Sequence, residues 1–206
     1  MRRLGECTSP RSPSRLEAPL LRCVLRPRSG LVPAGGLAAF LLAAASARPD
    51  VILSERDALA RACPGQGTAR RTLYLKPEQV TAVEKAARSK LPSAVVTVFE
   101  CHAAGAVTAR AVLDTDIVRT MPETVLAVVE PDGRLRMALV LQFAEPPDYL
   151  PREGWLKTLT GKSLDDDLVP GRDVRRVTGA TLTAEALAQA VRRSLAIDRL
   201  ILRSRP

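Results

Sequence analysis

Residues 124–143 read TVLAVVEPDGRLRMALVLQF, a stretch in which two apolar runs are joined by a short polar turn. Two runs rich in Val and Leu, Thr124 to Glu130 and Arg134 to Phe143, flank Pro131-Asp132-Gly133. Proline presets the turn dihedral, aspartate accepts from the backbone beyond it and glycine takes the left-handed angle, so the segment predicts an antiparallel hairpin. Upstream, Ala94 to Cys101 and Val107 to Leu113 have the same strand character. Arg71 to Leu75 alternates weakly as a further strand.

Helices frame these strands. Ser54 followed by Asp57 predicts an N-cap, with Pro64-Gly65 as the stop. Pro77 opens a second helix to about Lys90, and Leu182 to Ile197 places Leu187, Ala190, Val191 and Leu195 on one face. Glu145 to Pro151, with three prolines, predicts a stiff surface connection, and Gly154 to Leu159 a helical turn around Trp155. The order gives an α+β domain, an antiparallel sheet flanked by helices.

The chain has 206 residues, 46% hydrophobic and 26% charged, which is an ordinary globular balance. Its net charge is +9, but the first 47 residues hold 7 Arg against 2 Glu, so more than half of the excess lies ahead of the domain. Aromatic residues are 3%, too few for a base-stacking platform, and nucleic acid is excluded as a partner. Leu31 to Ala47 carries no charge and ends Ala45-Ser46-Ala47, downstream of Arg22, Arg26 and Arg28. That pattern predicts a signal peptide or an uncleaved membrane anchor, and both place the rest of the chain outside the cytoplasm, in the periplasm or an equivalent compartment. The predicted organisation is a signal or anchor with a basic n-region over 1–47, a helical extension over 48–93, the main domain over 94–197 and a basic, frayed tail over 198–206.

Cys63 and Cys101 form an even pair downstream of the signal. A bridge would close a loop of about 38 residues, but the reading favours two buried free thiols. With one His and no CxxC, zinc and iron–sulfur ligation are excluded, and no metal site is expected. Asp165-Asp166-Asp167 is read as a solvated acidic turn. No nucleophile–base pair or convincing carboxylate pair suggests a catalytic residue. Arg119-Thr120-Met121-Pro122-Glu123 is a polar cluster before an apolar strand, with an Arg119–Glu123 ion pair as its plainer reading.

Arg175 to Ala184 reads RRVTGATLTA immediately before the last helix, where free backbone donors and a partial positive charge favour a phosphate. The plainer alternative is a helix N-cap, with Thr183 capping and Gly179 turning. Thr178-Gly179-Ala180-Thr181-Leu182-Thr183 resembles the flavinylation signature of the FMN-binding domain family. That family includes the C subunit of the sodium-translocating NADH:quinone oxidoreductase, the G subunit of the Rnf complex and the nitrous-oxide reductase regulatory protein. The hairpin at Pro131-Asp132-Gly133, Trp155-Leu156-Lys157 and Gly161-Lys162-Ser163-Leu164 resemble the family in the same order, from about Ala94 to Ile197.

The resemblance implies FMN joined by a phosphoester to Thr181, installed by a magnesium-dependent flavin transferase. It also implies an electron carrier that works with membrane or periplasmic redox partners rather than a stand-alone enzyme. Thr178, Gly179, Ala180, Leu182 and Thr183 would surround the attachment, with Arg119, Thr120, Glu123 and Trp155 around the ring. Where the family often carries an acidic residue, six positions before the acceptor, this chain has Arg175, with Asp173 two residues earlier. The contrasting reading is an exported module without redox work that holds a phosphorylated ligand or a partner protein on the same helix end.

Overall fold

The computed structural model describes residues 50–177 and 179–204. The expected signal or anchor at Leu31 to Ala47, and Thr178 of the motif, lie outside them. Among the described residues no helix is long and apolar enough to cross a membrane.

Six antiparallel strands form one sheet: β1 (Asp50–Val51), β2 (Gly67–Tyr74), β3 (Val95–Ala103), β4 (Ala106–Val118), β5 (Met121–Val129) and β6 (Leu135–Phe143). The spatial order is β1-β6-β5-β4-β3-β2, a meander from β2 to β6 with β1 added beside β6. The helices are α1 (Glu55–Ala62), α2 (Pro77–Ala87), the short α3 (Glu153–Leu156) and α4 (Thr181–Ile197). The α+β sheet-and-helix class expected from the sequence is the one observed.

Local chemistry explains several boundaries. Ser54 caps α1, its hydroxyl accepting the Asp57 N–H at 3.1 Å. Pro77 begins α2, and Arg88 ends it in the left-handed region at φ 53°. The β5–β6 turn closes with the Gly133 N–H on the Glu130 carbonyl at 2.9 Å and the Arg134 N–H on Asp132 Oδ1 at 3.0 Å. Gly133 has φ 90°, an angle that costs an L side chain about 1–2 kcal/mol.

Both faces of the sheet are covered. On one, Val125, Ala127, Val129, Leu135 and Val140 meet Trp155, Leu159, Leu187, Val191 and Leu195, and α2 adds Val83 and Ala87 against Val96, Val98 and Val112. On the other, α1 lays Ala58 and Ala62 over Phe99, Cys101, Ala111, Leu126 and Val128. Central strand β5 is therefore buried on both sides, which is why its sequence is a continuous apolar run rather than an alternating one.

Three expectations change. Residues 50–93 are not an extension: β2 is the edge strand paired with β3, and α1 and α2 each cover a face of the same sheet. The start of the basic tail is not frayed, because Asp198–Leu202 continues α4 as a π-turn with Asp198, Ile201 and Leu202 buried. Cys63 and Cys101 are not free thiols but a disulfide, with Cα atoms 5.5 Å apart. The end of α1 crosses the sheet directly over Cys101 of β3, so burial and bridging occur together.

Candidate functional site

The site is built around the first turn of α4. Gly179 stands at φ 83°, and a Cβ there would meet nothing within 4 Å, so glycine serves the backbone angle rather than the space. Ala180 is the N-cap at φ −125°, and its methyl side chain makes no capping hydrogen bond. The ladder starts with the Ala184 N–H on the Ala180 carbonyl at 3.0 Å. Thr181 and Leu182 are exposed, Leu182 to 49%. The Thr181 hydroxyl thus belongs to a solvent-facing residue at the mouth of a 17-residue helix, where orphan backbone donors and the macrodipole favour an anion.

Thr183 differs from its neighbours. It is 1% exposed, and its hydroxyl donates to Glu145 Oε2 at 3.2 Å. The reading of Thr183 as the N-cap does not hold: the helix has already begun two residues earlier, and this hydroxyl points into the protein.

Glu145 links this turn to the polar cluster before β5. Arg119 Nε lies 3.8 Å from Glu145 Oε1, and its guanidinium sits over the Tyr149 ring at 5.2 Å from the centroid. Arg119 and Thr120 form the two-residue connection of β4 to β5, with Arg119 in the left-handed region at φ 56°. The ion pair expected between Arg119 and Glu123 is not formed; among the described residues the arginine's carboxylate partner is Glu145.

Glu123 is a buried acid without a partner. It stands opposite Asp116 on β4 and Phe143 on β6, it is 3% exposed, and neither carboxylate oxygen has a hydrogen bond among the described residues. Burial, reinforced by Glu145, Asp116 and Asp114, pushes its pKa up to about 8, with Arg193 pulling the other way. At neutral pH it is an uncharged carboxylic acid.

The neighbouring acids are satisfied. Arg193, 1% exposed on α4, holds Asp114 with two bonds, at 2.9 and 2.6 Å, and reaches Asp116 Oδ2 at 2.9 Å. Sequence reasoning missed Asp114, Asp116, Glu145 and Arg193. The signal was Asp at alternate positions just after Val and Leu, which places two acids on the inward face of a strand.

Trp155 is a core residue, 7% exposed, among Leu159, Leu187 and Val191. Its indole Nε1 donates to the Arg175 carbonyl at 2.6 Å, tying α3 to the approach to Gly179. It also borders a cavity that Arg152, Arg175 and Arg176 line. The structure therefore places Thr181, Leu182, Gly179 and Ala180 at the helix mouth and Thr183, Glu145 and Arg119 beside it. Trp155 stands on the α3 side.

The acidic turn is laced into ion pairs. Asp165 meets Arg199 at 2.7 Å, Asp167 lies between Arg88 and Arg172 at 3.0 and 3.2 Å, and Asp166 accepts the Ser163 N–H at 2.7 Å. Among the described residues no group of three or more His, Cys, Asp or Glu is placed to hold a metal ion.

No protein-family model matches the chain, and no curated protein matches it. Among solved structures it is similar to the crystal structure of Shewanella oneidensis NqrC, at 19% identity and a TM-score of 0.47, covering 70% of this chain and 87% of that one.

Proposed function

We propose that this protein is an exported FMN-binding electron carrier, with FMN joined by a phosphoester to Thr181 and its ring packed between the Arg119–Glu123 cluster and the Trp155 region. The observation that carries the reading is the exposure of Thr181 at a helix start whose N-cap is Ala180, inside the sequence Thr178 to Thr183. A phosphate attached there gains the orphan donors of the first turn, and the open left-handed Gly179 leaves room for a modifying enzyme. The residues present fit the group: the start of α4 favours an anion, and Glu145 joins Thr183 of its first turn to Arg119 of the polar cluster. Bound FMN supplies one- and two-electron chemistry; the chain supplies tethering, burial and charge.

Export is part of the same proposal. The disulfide between Cys63 and Cys101 supports an oxidising compartment, in line with the apolar stretch at Leu31 to Ala47. The partners proposed with it are a magnesium-dependent flavin transferase and membrane or periplasmic redox proteins, with the N-terminal segment as the point of membrane contact.

The test is Thr181→Val in the full chain, co-expressed with a flavin transferase. The variant is expected to lose all denaturation-resistant flavin while its stability stays within about 1 kcal/mol of the parent, as for an exposed side chain in a first helical turn. Acid-stable flavin retained by the variant would place the linkage elsewhere. A colourless parent under the same conditions would favour the module without redox work.

A further inference from the structure

Between α3 and the approach to Gly179 lies a cavity of about 590 Å³, within the size of small-molecule sites. Arg152 comes from the start of α3, while Arg175 and Arg176 come from the segment that leads, four residues after Val177, to Thr181. Asp148 is the one acid in the lining. Among the described residues none of the three arginines has a carboxylate partner, although Arg172 on the same loop is paired with Asp167 at 3.2 Å. The Trp155 indole fixes the Arg175 backbone, and Gly171, at φ 94°, leaves open the space that the Arg176 guanidinium fills.

Three arginines in the lining of one concavity, none with a carboxylate partner among the described residues, stand beside an indole fixed by its hydrogen bond, and together they make a site for a planar group that bears negative charge. We propose that the edge of the Thr181-linked flavin ring on its Trp155 side enters this cavity, and that Arg152, Arg175 and Arg176 favour the charge which that edge gains on reduction. The inference rests on the function proposed above and adds to it the residues that set the potential. Two electrons from an external reductant and one proton from water turn the neutral ring into a singly charged anion, with no bond to the protein made or broken. The guanidiniums favour that anion over the oxidised ring, so they raise the midpoint potential. Arg175, the residue that departs from the family's usual acid, has this electrostatic role.

The experiment uses the full chain flavinylated by co-expression with the transferase, titrated with dithionite against a reference dye while flavin absorbance is recorded. Replacing Arg152, Arg175 and Arg176 together with Gln is expected to weaken the preference for the reduced over the oxidised flavin about tenfold, a fall of about 30 mV for a two-electron couple. Arg152→Gln alone, across the cavity from the acceptor loop, is expected to shift the midpoint in the same direction by less. Gln at Arg70, Lys76 and Lys85, on β2 and around α2, removes the same charge and is expected to leave the midpoint unchanged. A midpoint that stays fixed in the arginine variants with flavin still bound overturns the proposal. A parent protein that never acquires flavin overturns the function itself and this assignment with it.

Discussion

Glu123→Gln is expected to flatten the pH dependence of stability between about pH 4.5 and 8. In the folded chain the Glu123 carboxyl titrates near 8, raised from the 4.5 of an ordinary glutamate mainly by its burial. Between those values the folded state keeps a proton that the unfolded state releases, so stability is greatest below the lower value and falls as pH rises through the upper one. A shift of that size corresponds to about 4–5 kcal/mol lost across the window. Asp198, also buried and raised, pulls in the same direction, whereas Asp166 and Asp167, lowered by their hydrogen-bond partners, pull in the other. Chemical denaturation of parent and variant at pH 5 and pH 8 isolates the Glu123 contribution as the difference between the two proteins. Parallel pH profiles would show that the carboxyl is solvated or paired, and would remove the buried neutral acid from the site.

Reduction of the Cys63–Cys101 bridge, or replacement of both cysteines with Ala, is expected to cost about 4 kcal/mol, from the chain entropy of a closed loop of 38 residues. The bridge fixes the C-terminal end of α1 over the Phe99 and Cys101 face of the sheet. Arg136 adds to that fixation, donating to the Ala62 carbonyl at 3.0 Å and the Thr108 carbonyl at 3.1 Å while pairing with Glu130. Loss of the bridge therefore acts first on α1 and the β1 edge, and hydrogen exchange there is expected to rise before exchange in β4 and β5. Equal denaturation midpoints with and without reductant would show that the two sulfurs are not joined.

The hairpin at Pro131-Asp132-Gly133, the Ser54 cap and the turn around Trp155 were all legible, because each depends on residues within a few positions of one another. The strand ends were not. β4 reads as ending at Leu113 and β5 as starting at Thr124, while the observed strands run on to Val118 and back to Met121. In both cases the reading stops at a buried acid, Asp114 or Glu123. A charge normally marks the edge of a core, but here Arg193, brought in from α4, compensates Asp114 and Asp116, and Glu123 is uncharged. Only the tertiary fold supplies Arg193, 79 residues away from Asp114 in sequence.

The same logic separates the legible and hidden parts of the site. Thr178 to Thr183 drew attention through their pattern and their place before an amphipathic helix. Glu145 was hidden in a proline-rich connection read as surface, yet it is 8% exposed and joins Thr183 to Arg119. The disulfide stood as the second reading behind two free thiols, because its cysteines lie in different elements and only the crossing of α1 over β3 brings them together.

The most direct measurement is the mass of the peptide containing Thr181, taken from protein isolated from its own cell and digested after denaturation. The expected product is a yellow peptide heavier by one FMN less one water, with the added mass on Thr181. A peptide of unmodified mass, from a preparation in which no flavin is associated with the protein, would contradict it.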